Sequence, residues 1–149
     1  MSSRNKFDWL NEDVVLAIHE AQIAEHGGRA GVRDRGLLAS SLARPQNAAA
    51  YSALDVPHAA ALYALGIIKN HPLVDGNKRV GAVLLETFLQ LHGYELIVTD
   101  GQLLAAILGL AAGETDDEAF VCWVRERAHL RSVRRAKKRP AADTTKRDV

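Results

Sequence analysis

Residues 55–93 read DVPHAAALYALGIIKNHPLVDGNKRVGAVLLETFLQLHG, two apolar helical patterns separated by a short charged connection. In the first, Leu62, Leu65 and Ile68 recur among the small residues Ala59, Ala61, Ala64 and Gly66. So little polar surface remains that this helix is expected to pack on several sides. Asp55-Val56-Pro57 suits its opening, because a missing N–H costs nothing in a first turn, and the pattern reaches about Asn70. In the second, Val80, Val83, Leu84, Thr87, Phe88 and Leu91 share one face from about Asn77, with Gly93 as a stop. A helix apolar all round beside an amphipathic one predicts an all-α fold, a compact single-domain helical bundle.

The flanks agree with that reading. Upstream, Asn11 is a cap for a helix over Glu12–His26, with Val14, Ile18 and Ala21 at helical spacing and Gly27-Gly28 ending it. Residues 27–34 are glycine-interrupted and charged, a surface loop, in which Arg33-Asp34 suits either a flap that guides a target or a plain surface salt-bridge residue and N-cap. Asp34 then caps a short helix carrying Leu37, Leu38 and Leu42 as far as Pro45, with a further short helix at Asn47–Tyr51. Downstream, Asp100 is a cap for a helix to about Ala112, Gly113 closes it, and Thr115-Asp-Asp-Glu118 is a capping box before Phe120, Val121, Trp123 and Val124. Tyr94–Val98 is a short extended connection, with no second strand pattern to build a sheet. Trp9 and Trp123 stand at apolar spacing as packing residues.

At 149 residues the chain has room for one core. The net charge of +1 conceals an asymmetry: residues 131–149 hold eight Lys/Arg against two Asp, so a basic tail of +6 follows a body, residues 1–130, of −5. Such a tail suits a solvated terminus, or contact with nucleic acid, an acidic partner or the body itself. The single Cys122 excludes an internal disulfide and a cysteine-built metal cage. No apolar run resembles a signal peptide or a membrane span, so a cytoplasmic protein without membrane contact is expected. His19, His26, His58, His92 and His129 lack the spacing of metal ligands and receive no role.

Chemistry is concentrated in His71-Pro-Leu-Val-Asp-Gly-Asn-Lys-Arg79, where a base, a carboxylate, a glycine, an amide and two cations fall within nine residues. Pro72 disfavours continued helix at His71, which puts the imidazole where the first helix stops. Asp75-Gly76-Asn77 is turn chemistry, and Asp75 or Asn77 can cap the helix that follows. A helix start presents unpartnered N–H groups and the positive end of the dipole, so it attracts anions. Lys78 and Arg79 would be disfavoured there by the dipole alone, and together with Gly76 they describe a phosphate cradle. Asp75 suits a phosphate only if a divalent cation bridges the two, as Mg²⁺ does with a nucleotide; otherwise it is a turn residue. An imidazole, with its ordinary pKa near neutrality, can accept the proton of an attacking hydroxyl.

The same loop resembles the signature of the Fic/Doc family, His-x-Phe-x-Asp/Glu-Gly-Asn-x-Arg, at His71, Asp75, Gly76, Asn77 and Arg79. Its Asn-Lys-Arg ending is similar to the death-on-curing branch of type II toxin-antitoxin systems. The likeness extends from Ile18-His-Glu through Gly27-Gly28, Gly31-Val-Arg-Asp34, Gly36-Leu-Leu and Ser41-Leu-Ala-Arg-Pro-Gln46 to Leu89-Gln-Leu-His-Gly-Tyr94, about residues 12–127 in all. The resemblance implies a toxin with a Phd-like antitoxin partner, DNA contact only through that antitoxin, ATP and Mg²⁺ as cofactors, and phosphorylation of elongation factor Tu. By position it makes His71 the catalytic base, Asp75 the Mg²⁺ ligand, and Gly76, Asn77, Lys78 and Arg79 the phosphate-binding set. Lys69, two residues before the histidine, is a further candidate cation.

The departures from the signature are informative. Lys78 stands where adenylyl-transferring relatives have a second glycine, and Ala82 where they have a second arginine. Without that arginine a nucleotide bound with its terminal phosphate toward His71 would yield phosphoryl transfer. Leu73 replaces the usual Phe and is a less bulky anchor. Nucleotidyl (AMP) transfer, and a catalytically silent antitoxin-binding or regulatory module, are the alternative readings.

Overall fold

The computed structural model describes residues 7–131. Apart from Arg131, the basic tail read at 131–149 therefore lies outside the described residues, as do residues 1–6. Six helices and two short strands follow in the order α1 (Glu12–His26), α2 (Arg35–Tyr51), α3 (Val56–Asn70), α4 (Asn77–Leu91), β1 (Tyr94–Leu96), α5 (Asp100–Ala111), α6 (Asp117–Arg127) and β2 (Ala128–Leu130).

Helix α3 is the centre. Every residue from Pro57 to Ile68 except His58 is buried, and α2, α4, α5 and α6 all pack against it. Two close approaches set the spacing. A Cβ at Gly66 would fall 3.0 Å from the Ser41 Cβ, and one at Gly81 would fall 2.7 Å from Ile68, so α2 and α4 each meet α3 where a side chain is missing. Phe88 of α4 and Tyr63 of α3 are fully buried, with ring centroids 5.2 Å apart and planes tilted by 47°. The N-terminal segment adds Phe7 and Trp9 to that cluster, and the Leu10 N–H donates to the Tyr63 hydroxyl at 2.8 Å.

Most helix ends are local chemistry. Asn11, Asp34 and Asp55 accept hydrogen bonds from the N–H groups of Val14, Leu37 and His58, and Gly27 and Gly113 close α1 and α5 at positive φ. Several expectations need correction. Helix α2 does not stop at Pro45 but passes through it to Tyr51. Pro45 is buried, and its missing N–H leaves the Ser41 carbonyl at the contact with Gly66, where α2 packs on α3. Thr99, not Asp100, caps α5 in a reciprocal capping box with Gln102, and Asp116, not Thr115, caps α6. A two-stranded antiparallel sheet joins Tyr94–Leu96 to Ala128–Leu130, with Glu95 opposite His129. Strands of three residues carry no readable alternation, and their pairing depends on the bundle bringing the ends of α4 and α6 together.

Candidate functional site

The connection from α3 to α4 spans His71–Gly76, and each of its residues is fixed by something outside it. His71 ends α3 with φ 51° and ψ 54°, the one non-glycine residue at positive φ among those described. That left-handed conformation costs about 1–2 kcal/mol. It ends the helix and leaves the His71 side chain exposed, with no hydrogen-bond partner among the described residues. Leu73 is fully buried and anchors the middle of the connection. The Asn77 carboxamide grips Leu73 in both directions, accepting from its N–H and donating to its carbonyl, each at 3.0 Å.

The loop of residues 27–34 runs alongside. Val32 forms an antiparallel bridge with Leu73, the Val74 N–H donates to the Gly31 carbonyl at 3.0 Å, and the Arg33 and Asp34 N–H groups both donate to Pro72. The Arg33 guanidinium reaches the carbonyls of His71 at 2.6 Å and Asn70 at 3.0 Å. Arg33 is therefore a clamp on the end of α3. Of the readings of Arg33-Asp34, the N-cap one holds for Asp34, which caps α2.

Asp75 is exposed, and its carboxylate accepts from the Arg29 N–H at 3.2 Å and from the Gly76 N–H at 2.9 Å. Gly28 lies so near that a Cβ there would come within 2.8 Å of Asp75 Oδ2. Beneath the turn, His19 of α1 is 2% exposed and its Nε2 lies 2.8 Å from the Asp75 carbonyl.

Gly76, at φ 81° and ψ 18°, is the N-cap of α4, and no side chain caps that helix. The expectation that Asp75 or Asn77 would cap it is corrected: the Asp75 carboxylate takes the N–H groups of Arg29 and Gly76, and the Asn77 amide is spent on Leu73. With the Gly76 N–H also engaged, the backbone N–H groups of Asn77, Lys78 and Arg79 have no acceptor within the described residues. Lys78 and Arg79 are exposed and form no ion pair among the described residues. This end of α4 is strongly cation-like, as the dipole and both side chains carry the same sign.

These residues open onto a cleft of about 680 Å³. Asp75 to Arg79 form one wall, Gln22 and His26 of α1 contribute polar edges, and Ala82, Val83, Leu103, Leu104, Ile107 and Leu108 form an apolar wall across α4 and α5. Leu104 and Leu108 are 58% and 45% exposed, although α5 is otherwise an apolar helix. His71 stands outside this lining. Lys69 is not at the site: its ammonium is 3.4 Å from Asp117, which also pairs with Arg44 at 2.9 Å. That double pairing holds the Asp117 carboxyl below its usual range, the Arg44 hydrogen bond being the main cause.

No cluster of three or more His, Cys, Asp or Glu suited to a metal occurs among the described residues. Asp75 alone fits a cation of the Mg²⁺ type, which commonly takes one protein carboxylate and completes its shell with phosphate oxygens and water. A structural zinc or calcium site is not what this donor set resembles. Among the described residues no helix is long and apolar enough to cross a membrane.

Comparison with known proteins gives consistent findings. The profile of the Fic/DOC family matches residues 9–89, a span that runs from the N-terminal segment through α4 and includes the whole connection. The chain is 45% identical over 89 residues to the toxin Doc of Mycolicibacterium smegmatis, covering 57% of this chain and 64% of that protein, just under two thirds of its length. It is 27% identical over 106 residues to the protein kinase doc of Escherichia phage P1, covering 70% of this chain and 83% of that one.

Proposed function

This chain belongs to the Fic/DOC family, and from that premise we propose that it is a Doc-like toxin that transfers the terminal phosphate of ATP to a hydroxyl of a protein, with elongation factor Tu as the target and arrest of translation as the result. One observation carries the reading: an exposed imidazole ends α3 six residues before a helix start that combines three unpartnered N–H groups, Lys78, Arg79 and the Asp75 carboxylate beside a cleft. A cleft of about 680 Å³ is within the range that takes a ligand of nucleotide size.

In this reading the N–H groups of Asn77, Lys78 and Arg79, with the two side-chain cations, bind the phosphates. Asp75 would hold Mg²⁺, which neutralises charge on the phosphate oxygens. His71 takes the proton of the target hydroxyl as its oxygen bonds to the terminal phosphorus and the bond to the bridging oxygen breaks, so that ADP leaves. Its position outside the cleft lining suits a base that meets a protein arriving from solvent. The cleft beyond Arg79 is lined by Ala82, Val83 and leucines and has no further Lys or Arg, so it favours a base and sugar there over outer phosphates. That favours phosphoryl over AMP transfer.

The test is direct. Protein, ATP, Mg²⁺ and elongation factor Tu should yield a target heavier by one phosphate in intact-mass spectrometry, and His71→Ala should abolish the adduct while melting as a folded protein. An AMP adduct would establish nucleotidyl transfer instead, and an unmodified target would remove this target. Growth arrest that survives His71→Ala would favour the silent binding module. One relative is named a toxin, and the proposal includes a Phd-like antitoxin as partner, through which alone DNA would be reached. Co-purification with the product of an adjacent reading frame tests that partner.

A further inference from the structure

His19 is the most buried ionisable side chain near the site, and phosphate binding as described makes no use of it. It sits on α1, and its Nε2 is 2.8 Å from the Asp75 carbonyl, 56 residues along the chain. A carbonyl oxygen only accepts, so Nε2 must carry the hydrogen. The peptide group between Asp75 and Gly76 is thereby held from both sides: its carbonyl by His19 and its N–H by the Asp75 carboxylate at 2.9 Å. The His19 ring also lies under Gly76, 3.8 Å from where a Cβ would stand.

This peptide leads into the N-cap of α4, and Gly76 has the left-handed conformation that lets it turn. Glycine imposes little on its own backbone, so the orientation has to be supplied from outside. Rotation of the peptide would lose both hydrogen bonds and turn a carbonyl oxygen toward the Asp75 carboxylate. It would also misplace the first turn, whose N–H groups must converge on an anion.

We propose that His19 is a positioning residue for phosphate binding: by donating Nε2–H to the Asp75 carbonyl it fixes the turn so that the Asp75 carboxylate and the N–H groups of Asn77, Lys78 and Arg79 face one ligand. The proposal rests on the nucleotide-binding reading above. It assigns His19 to affinity for the phosphate-bearing ligand, and leaves proton transfer to His71.

Affinity for Mg²⁺-ATP, measured by titration calorimetry on the full chain, tests it with three substitutions. His19→Gln places an amide N–H near the Nε2 position and should bind within about threefold of the wild type. His19→Asn, too short to reach, and His19→Met, without a donor, should each lose at least tenfold. Where transfer is measured, the loss should fall on KM more than on kcat. Equal binding by all three, or a loss in His19→Gln as large as in His19→Met, overturns the proposal. Should the Met variant fail to fold, the Gln and Asn pair decides. Nuclear magnetic resonance of the wild type needs no substitution: a slowly exchanging His19 Nε2–H is expected, and an Nε2 without a hydrogen overturns the assignment. If the wild type itself binds no Mg²⁺-nucleotide, the underlying functional reading fails, an outcome separate from unchanged binding in the variants.

Discussion

The Arg33 guanidinium spans the carbonyls of Asn70 and His71, at 3.0 and 2.6 Å, and so holds the only left-handed non-glycine residue among those described. The last carbonyls of a helix lack intrahelical partners, and a planar fork with fixed donors satisfies two of them at once. Arg33→Met should lower stability by about 1 kcal/mol, since the side chain is exposed and each bond is partly replaced by water. On a chain of this size that is a fall of about 3–4 °C in melting temperature. On the proposed function, transfer should fall more steeply, about 10–100-fold, because an imidazole acting as the base loses its geometry when displaced by an ångström. Arg33→Lys should recover little, having one point donor for two acceptors. Melting curves and transfer rates on the same samples check the disparity.

Strain at His71 separates stability from activity. Its left-handed backbone penalises any side chain with a Cβ, while the imidazole, being exposed, contributes little packing. His71→Gly should therefore be more stable than His71→Ala by about 0.5–1 kcal/mol, the relief exceeding the entropy that glycine adds to the unfolded chain. Both should be inactive. Urea denaturation and transfer assays read the two effects, and equal stability of the pair would contradict the strain.

Gly28 touches the candidate Mg²⁺ ligand from the neighbouring loop. At φ 115° and with a Cβ 2.8 Å from Asp75 Oδ2, Gly28→Ala must displace the carboxylate and adopt a backbone foreign to alanine. A loss of about 1–3 kcal/mol is expected, with the Mg²⁺ concentration for half-maximal transfer raised about tenfold. Gly27→Ala is the control: its φ is 83°, yet nothing lies within 4 Å of the added methyl, so stability should fall without a change in Mg²⁺ requirement.

His58, in the first turn of α3, is predicted to make stability fall on mild acidification. Burial lowers its pKa below the ordinary 6.5; nearby Asp55 opposes that shift, while Arg125 and Arg44 reinforce it. The unfolded chain then takes up the proton first, so stability is full above 6.5 and declines as the pH falls toward the lower folded value. His58→Gln should flatten this part of the profile. Urea midpoints at about pH 7 and about pH 5.5 measure it, and a profile unchanged by the substitution would contradict the shift.

Helix positions were legible in the sequence wherever the signal is local. Asn11 and Asp34 cap as read, α1 and α3 end where Gly27 and His71-Pro72 predict, and α4 begins at Asn77, whereas α3 opens at Val56 with Asp55 as its cap rather than at Pro57. The caps at Asn11 and Asp34 are decided by residues within four positions, as a cap bonds to its own first turn. Where packing outweighs a local signal the reading failed, as at Pro45, which is tolerated inside α2, where it is buried.

By itself, then, the sequence determined that this is a mostly helical bundle and pointed to the connection between the two most apolar helices as the candidate site, because periodicity, caps and a dense loop motif are short-range properties. Only the tertiary structure decided what holds that connection. Gly28 looked like a helix stop, Arg33 like a surface residue and His19 like one histidine of six, yet they reach Asp75 and His71 across 38 to 56 residues. Those contacts exist because α1 and the loop after it lie beside α4, and that arrangement comes from burial summed over the whole core. It also turned Lys69 away from the site toward Asp117, since a side chain's direction depends on which face of its helix the neighbouring helices cover.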